Sequence, residues 1–171
     1  SIYTLSKNVQ NKNGHKKMMV CISNIIQDMF KQYQTYQPTS EQYKEYHSAL
    51  LQKLNEIEKN RTAKNTIEGS SILLFLLNNG FGGNYEMKDS GSYISASTDT
   101  KKVKRFFNFV GKIGLYHYLY NTAKVTFHNK DYKTILKKYS GHSDTYTTMD
   151  PPYFQTNMMS IEEFDKKMEH L

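Results

Sequence analysis

The sequence contains one cysteine and three prolines, and its acidic residues are fewer than its basic ones. A single cysteine, Cys21, excludes an internal disulfide, and the histidines are not spaced like zinc ligands, so we predict no metal site. The longest apolar stretch, Ile72 to Leu77, is far too short to cross a bilayer, and no signal peptide opens the chain. These absences favour a soluble, cytoplasmic protein with no membrane partner.

The composition favours one folded domain that is drawn to polyanions. A chain of 171 residues is long enough for one domain with a core, or for a domain with a modest insertion. The apolar share is only 37%, but 14 Tyr and 9 Phe can fill a core while keeping polar tips. The net charge of +7 indicates an attraction to partners such as nucleic acid.

The first third of the chain predicts a strand followed by two helices. The apolar run Met18 to Ile22 is typical of a buried strand, and Ser23 could cap a helix with apolar residues at helical spacing. A second helix is predicted from Ser40 to near Arg61. Ile67 to Leu77 fits a helix or a buried strand, and its length favours a helix.

The remainder predicts a loop and then further strands and helices. Asn78 to Ser97 is rich in turn-forming residues, with a hairpin tip at Lys88 to Gly91, and a basic helix follows up to Ile113. The later elements are predicted as a strand at Lys124–His128, a helix from Asp131 to Tyr139, a strand at Thr145–Met149 and a helix from Ser160. Strands that alternate with helices at both ends predict an α/β fold with a parallel sheet.

The tetrapeptide Asp150-Pro151-Pro152-Tyr153 follows the last predicted strand. Ligands of open parallel sheets gather at the carboxyl ends of strands. Two prolines remove backbone donors, so the carbonyls and the Asp150 carboxylate make an acceptor-only site with an aromatic ring beside it. This chemistry fits an exocyclic amine stacked on Tyr153, whereas a plain strand-ending turn is the alternative.

The tetrapeptide resembles the catalytic motif of the Dam-like, D12 class of adenine-specific DNA methyltransferases. By this resemblance Asp150 and the Pro151 carbonyl bind the adenine N6 amino group, Pro152 completes the motif and Tyr153 stacks on the flipped base. The resemblance implies S-adenosylmethionine as methyl donor, lying beside Asp150, and double-stranded DNA as partner. It also implies a Rossmann-like methyltransferase core with a helical target-recognition insertion, in a bacterial, phage or viral context.

Two further segments resemble that family. The segment from Leu77 to Lys88 is similar to its DNA-recognition region, which implies DNA contacts by Asn78, Phe81, Gly83, Tyr85 and Lys88; a glycine-rich surface loop is the alternative. Met19 to Asn24 resembles the strand end that holds the cofactor ribose, which places Cys21 and Ile22 at the cofactor. A buried core cysteine is the alternative for Cys21.

The resemblance divides the chain into core residues 1–36, a DNA-binding insertion of residues 37–113 and core residues 114–171. The family's glycine-rich cofactor loop is expected upstream of Ser1 and its last strands beyond Leu171, so we expect a fragment. The predicted function is site-specific methylation of adenine N6 in DNA. The alternatives are a catalytically decayed DNA-binding protein, or a methyltransferase for another amine such as RNA adenine or a glutamine amide.

Overall fold

The computed structural model describes residues 2–35, 38–62, 65–80, 86–88, 91–96, 106–141 and 144–148. Their helices and strands are, in chain order, α1 Ile2–Gln10, α2 Gly14–Tyr33, α3 Ser40–Lys59, α4 Thr66–Asn79, β1 Glu86–Lys88, β2 Gly91–Tyr93, α5 Phe106–Thr122 and α6 Tyr132–Tyr139. The chain divides into two compact units, residues 1–129 and residues 130–171. The first unit holds all of the described elements except α6.

The centre of the first unit is α4. This helix is apolar on nearly all sides, and a helix of that kind is stable only when neighbours surround it. Its residues Ile72, Leu73, Phe75 and Leu76 are at most 1% exposed, and α1, α2 and α3 all contact it. The helices α1, α2 and α3 therefore each present an apolar face to α4, whereas α5 packs on α1 and α2.

The helix α3 begins and ends close to where the sequence predicts. Thr39 forms a capping box: its side chain accepts from the Gln42 backbone N–H at 3.2 Å, and the Gln42 side chain accepts from the Thr39 N–H at 2.9 Å. Such a box satisfies two backbone donors that the first turn leaves without helical partners. The predictions of helices for α3, α4 and α6 are confirmed, and the Asp131 side chain caps α6 by accepting from the Lys133 N–H.

The short helix α1 packs on α2, α4 and α5. The Asn8 side chain donates to the carbonyl of Thr66 at 3.2 Å and to the hydroxyl of Ser70 at 2.9 Å, at the start of α4. Two residues later, Gln10 donates from Nε2 to the Val125 carbonyl at 2.7 Å, beyond the end of α5. These contacts bring the end of α1, the start of α4 and the end of α5 to the same end of the unit.

The prediction of a Rossmann-like α/β core is wrong. In the described part of the chain the only sheet is the antiparallel pair of β1 and β2, three residues each, so there is no parallel sheet there to carry such a core. The predicted strand Met18–Ile22 lies inside α2, and Lys124–His128 and residues 145–148 have no strand partner among the described residues. The predicted boundary between residues 113 and 114 falls within α5, and that between 36 and 37 lies outside the described residues.

Candidate nucleic-acid interface

The predicted DNA-recognition segment begins at the end of α4 and is closed at its base. Gly80 pairs with Ala96 in an isolated antiparallel bridge, which brings the two ends of the intervening segment together. A side-chain Cβ at Gly80 would lie 2.8 Å from Cγ2 of Ile94, which is 1% exposed. Glycine at position 80 therefore allows the segment after the hairpin to pack directly against the end of α4. We call residues 81–95 the bridged loop.

Within the bridged loop, β1 and β2 form a hairpin that rests on α3. Lys88 pairs with Gly91 in the register, so residues 89 and 90 separate the strands, and the predicted hairpin tip is confirmed. Gly91 has a φ of 117°, and a Cβ there would lie 2.7 Å from Oδ1 of Asn55 on α3. Both observations require glycine, because other residues avoid this φ and would collide with Asn55.

The predicted DNA contacts are only partly within the described residues. Asn78 is half-buried on the last turn of α4, at the base of the bridged loop, and Lys88 lies in β1. Phe81, Gly83 and Tyr85 lie outside the described residues. The catalytic tetrapeptide, residues 150–153, lies outside them as well.

Below the bridged loop is a buried polar cluster that the sequence analysis did not single out. The Tyr43 hydroxyl donates to the Asn79 carbonyl at 3.2 Å, and Nδ2 of Asn79 donates to the Phe75 carbonyl at 2.7 Å. His47 packs edge-on against the Tyr43 ring, with centroids 6.0 Å apart. Oδ1 of Asn79 and Nε2 of His47 have no hydrogen-bond partner among the described residues. The one sequence signal is a polar side chain, Asn79, at the end of an apolar helix.

Burial decides the protonation states in this cluster. It lowers the pKa of His47 to about 4, so the imidazole is neutral at pH 7. It raises the pKa of Tyr43 well above its usual value, so the phenol keeps its proton. Neither group reaches solvent, since Tyr43 and His47 are each 3% exposed. The cluster is therefore suited to holding the base of the bridged loop rather than to acid–base chemistry.

The strand end expected at Cys21 and Ile22 does not exist. Both residues lie in the middle of α2, where their backbone groups are within the helix, and Ile22 is completely buried in the core. Cys21 is half-buried and reduced. The sequence reasoning placed these side chains at the carboxyl edge of a sheet, and with no such edge here they lose the basis for contacting a cofactor ribose.

Other kinds of site are not evident in the described residues. No group of three His, Cys, Asp or Glu side chains within them is placed to bind a metal ion. None of the helices that the structure describes combines the length and the hydropathy of a membrane span.

A comparison of the chain with family models, curated proteins and solved structures found no match.

Proposed function

We propose that the protein is a DNA methyltransferase that acts on the N6 amino group of adenine. The observation that carries the proposal is the tetrapeptide Asp150-Pro151-Pro152-Tyr153. A carboxylate and a backbone carbonyl can accept both N–H bonds of an amine, and the tyrosine ring can stack on the base. Holding the amine in this way orients its lone pair toward a methyl donor, so positioning supplies much of the catalysis.

The first unit, residues 1–129, which we call the helical unit, is proposed to provide DNA recognition. Support comes from the bridged loop, which is held at its base by the Gly80–Ala96 bridge and begins next to Asn78. Binding residues are commonly found on loops that a packed scaffold positions, and base edges are read by a few such side chains. The net charge of +7 adds attraction to the DNA backbone.

The proposed methyl donor, S-adenosylmethionine, does not fit the described residues. Cys21 and Ile22 are part of a helix, with Ile22 in the core. The cavity between α3 and α4, lined by Leu54, Arg61 and Gly69 among others, measures about 20 Å³, which is space for one water molecule. The proposal therefore assigns no step of methyl transfer to the described helices. Their proposed role is to bind DNA.

The proposal is tested with the longest natural version of the protein, labelled S-adenosylmethionine and unmethylated DNA. After digestion to nucleosides, N6-methyladenine is identified by mass. We expect this product with the wild-type protein and with Asp144→Asn, which removes an exposed carboxylate six residues from the motif. Asp150→Asn should abolish it. Label that appears only on RNA or on a protein amide would contradict the DNA proposal.

A second candidate function is DNA binding without methyl transfer. It is favoured by one observation, namely that the residues expected to hold the cofactor lie in a helix. A protein of this kind should bind duplex DNA with strong salt dependence, and added S-adenosylmethionine should leave the affinity unchanged. Binding of DNA by a protein that forms no N6-methyladenine would select this candidate over the enzyme.

A further inference from the structure

Among the described residues of the helical unit, the net positive charge lies on one group of neighbouring helices. Residues 2–27 and 106–129 contain no Asp or Glu and six lysines, which are Lys7, Lys12, Lys16, Lys17, Lys112 and Lys124. These residues form α1, the first part of α2 and α5, three helices that contact one another. By contrast, residues 40–68 carry five acidic and five basic side chains. The side of the unit that α3 forms is therefore close to neutral.

The fold gathers part of this charge at one end of the unit. Gln10 is bonded to Val125 at 2.7 Å, and Asn121 donates to the Gln10 carbonyl at 3.1 Å. The rings of His15 and His117 stack with centroids 3.8 Å apart. The turn between α1 and α2 is thereby held against the end of α5. The exposed lysines around this junction, which we call the lysine end, are Lys12, Lys16, Lys17 and Lys124.

The lysine end is electrostatically unfavourable in the isolated protein. Lys12 lies in the turn before α2, and Lys16 and Lys17 lie in the first turn of that helix, so three like charges that repel one another fall within a short stretch of chain. No carboxylate lies within residues 2–27 or 106–129 to offset them. The amino end of α2 at Gly14 adds the positive end of its helix dipole. A bound polyanion would relieve this repulsion.

The lysine end lies about one helix length from the bridged loop. Asn8 places α1 at the start of α4, whereas the Gly80–Ala96 bridge closes the loop beyond the end of α4. The 14 residues of α4 separate the two ends. At a rise of about 1.5 Å per residue this is roughly 20 Å, close to six base pairs of duplex DNA.

We propose that the lysine end is a second nucleic-acid contact, which binds backbone phosphates of the same duplex that the bridged loop reads. Phosphate contacts position a protein on DNA without carrying sequence information. The lysine end therefore contributes affinity and register, and the loop contributes base recognition. This inference rests on the proposed DNA-binding function and adds to it a surface on α1, α2 and α5.

The test compares two double variants of the full chain that lose the same charge. Lys16→Gln with Lys124→Gln alters the lysine end, and Lys44→Gln with Lys59→Gln alters exposed positions on α3. Affinity for a labelled 20-base-pair duplex is measured by fluorescence anisotropy across a range of salt concentrations. Circular dichroism melting checks that both variants are folded.

We expect the slope of log K against log salt to become shallower by about 1.8 in the first variant, at about 0.9 per lost phosphate contact. The α3 variant should keep the wild-type slope.

The possible results separate this inference from the proposed function. If the wild-type protein binds DNA and both double variants have equal slopes, the lysine end is not a DNA contact and the inference fails while the proposed function stands. If the wild-type protein binds no DNA, both fail. If the lysine-end substitutions weaken binding to vesicles that contain phosphatidylserine but leave binding to DNA unchanged, the partner is a membrane surface and the inference is overturned.

Discussion

Replacing His47 by leucine should make the stability of the helical unit less sensitive to acid. His47 is 3% exposed, and Nε2 lacks a hydrogen-bond partner among the described residues. Burial lowers its pKa from 6.5 to about 4. Because the folded pKa lies below the unfolded value, the unfolded chain takes up the proton first as the pH falls. The free energy of unfolding that neutral His47 contributes is therefore fully present above pH 6.5 and is lost as the pH falls from 6.5 to 4.

The size of this effect follows from the shift in pKa. Each unit is worth about 1.4 kcal/mol, so acidification from pH 7 to pH 4 should cost the wild-type protein up to about 3 kcal/mol through His47. The variant His47→Leu should lack this loss. At pH 7 it should be about as stable as the wild type, since leucine fills a similar volume and removes a polar atom without a partner.

The measurement is urea unfolding, followed by circular dichroism, at several pH values from 4 to 7.5. The carboxylates contribute equally to both proteins, so the difference between the two curves isolates His47. His128→Gln is the control, because His128 is exposed and its replacement should leave the wild-type pH dependence in place. Parallel curves for the wild type and His47→Leu would refute the reasoning and mean that the imidazole is hydrated in solution.

Three further substitutions test the core, the base of the bridged loop and the cap of α3, each by urea unfolding against the wild type. Ile22→Ala should cost about 2–5 kcal/mol because it leaves a cavity in a fully buried site, whereas an unchanged stability would contradict its place in the core. Gly80→Ala should cost about 1–3 kcal/mol because its Cβ meets Ile94, and hydrogen exchange of residues 91–96 should become faster. Thr39→Ala should cost about 1 kcal/mol through loss of the α3 cap, with Thr39→Ser as the variant expected to retain it.

The elements that the sequence predicted correctly have strong local signals. The helix α3 has a polar cap and an apolar stripe, α6 has Asp131 at its start, and the hairpin has turn-forming residues at its tip. Such signals act within a few residues, so they hold in almost any tertiary context. The length of the apolar run in α4 was enough to favour a helix over a strand.

The segments that were wrongly predicted as strands lack, among the described residues, the neighbouring strand that a sheet requires. In the run Met18 to Ile22, both end residues are fully buried while Val20 is 60% exposed, which is the spacing of one helical turn. A run this short fits either structure, and packing against α4 and α5 decides for the helix. Residues 124–128 do alternate, with Val125 and Phe127 more buried than their neighbours. No neighbouring strand in the described residues pairs with them, so the alternation does not produce a sheet.

Local sequence was enough to predict the helices α3, α4 and α6, the Asp131 cap and the hairpin tip, and it contains the excess of lysine and the Asp150 to Tyr153 motif on which the proposed function depends. These are properties of neighbouring residues or of composition. Three features arise only on folding, namely the burial of His47, the pairing of Gly80 with Ala96, and the placement of Lys16 and Lys124 at one end of the unit. Each of these depends on contacts between residues far apart in the chain, which local periodicity does not encode.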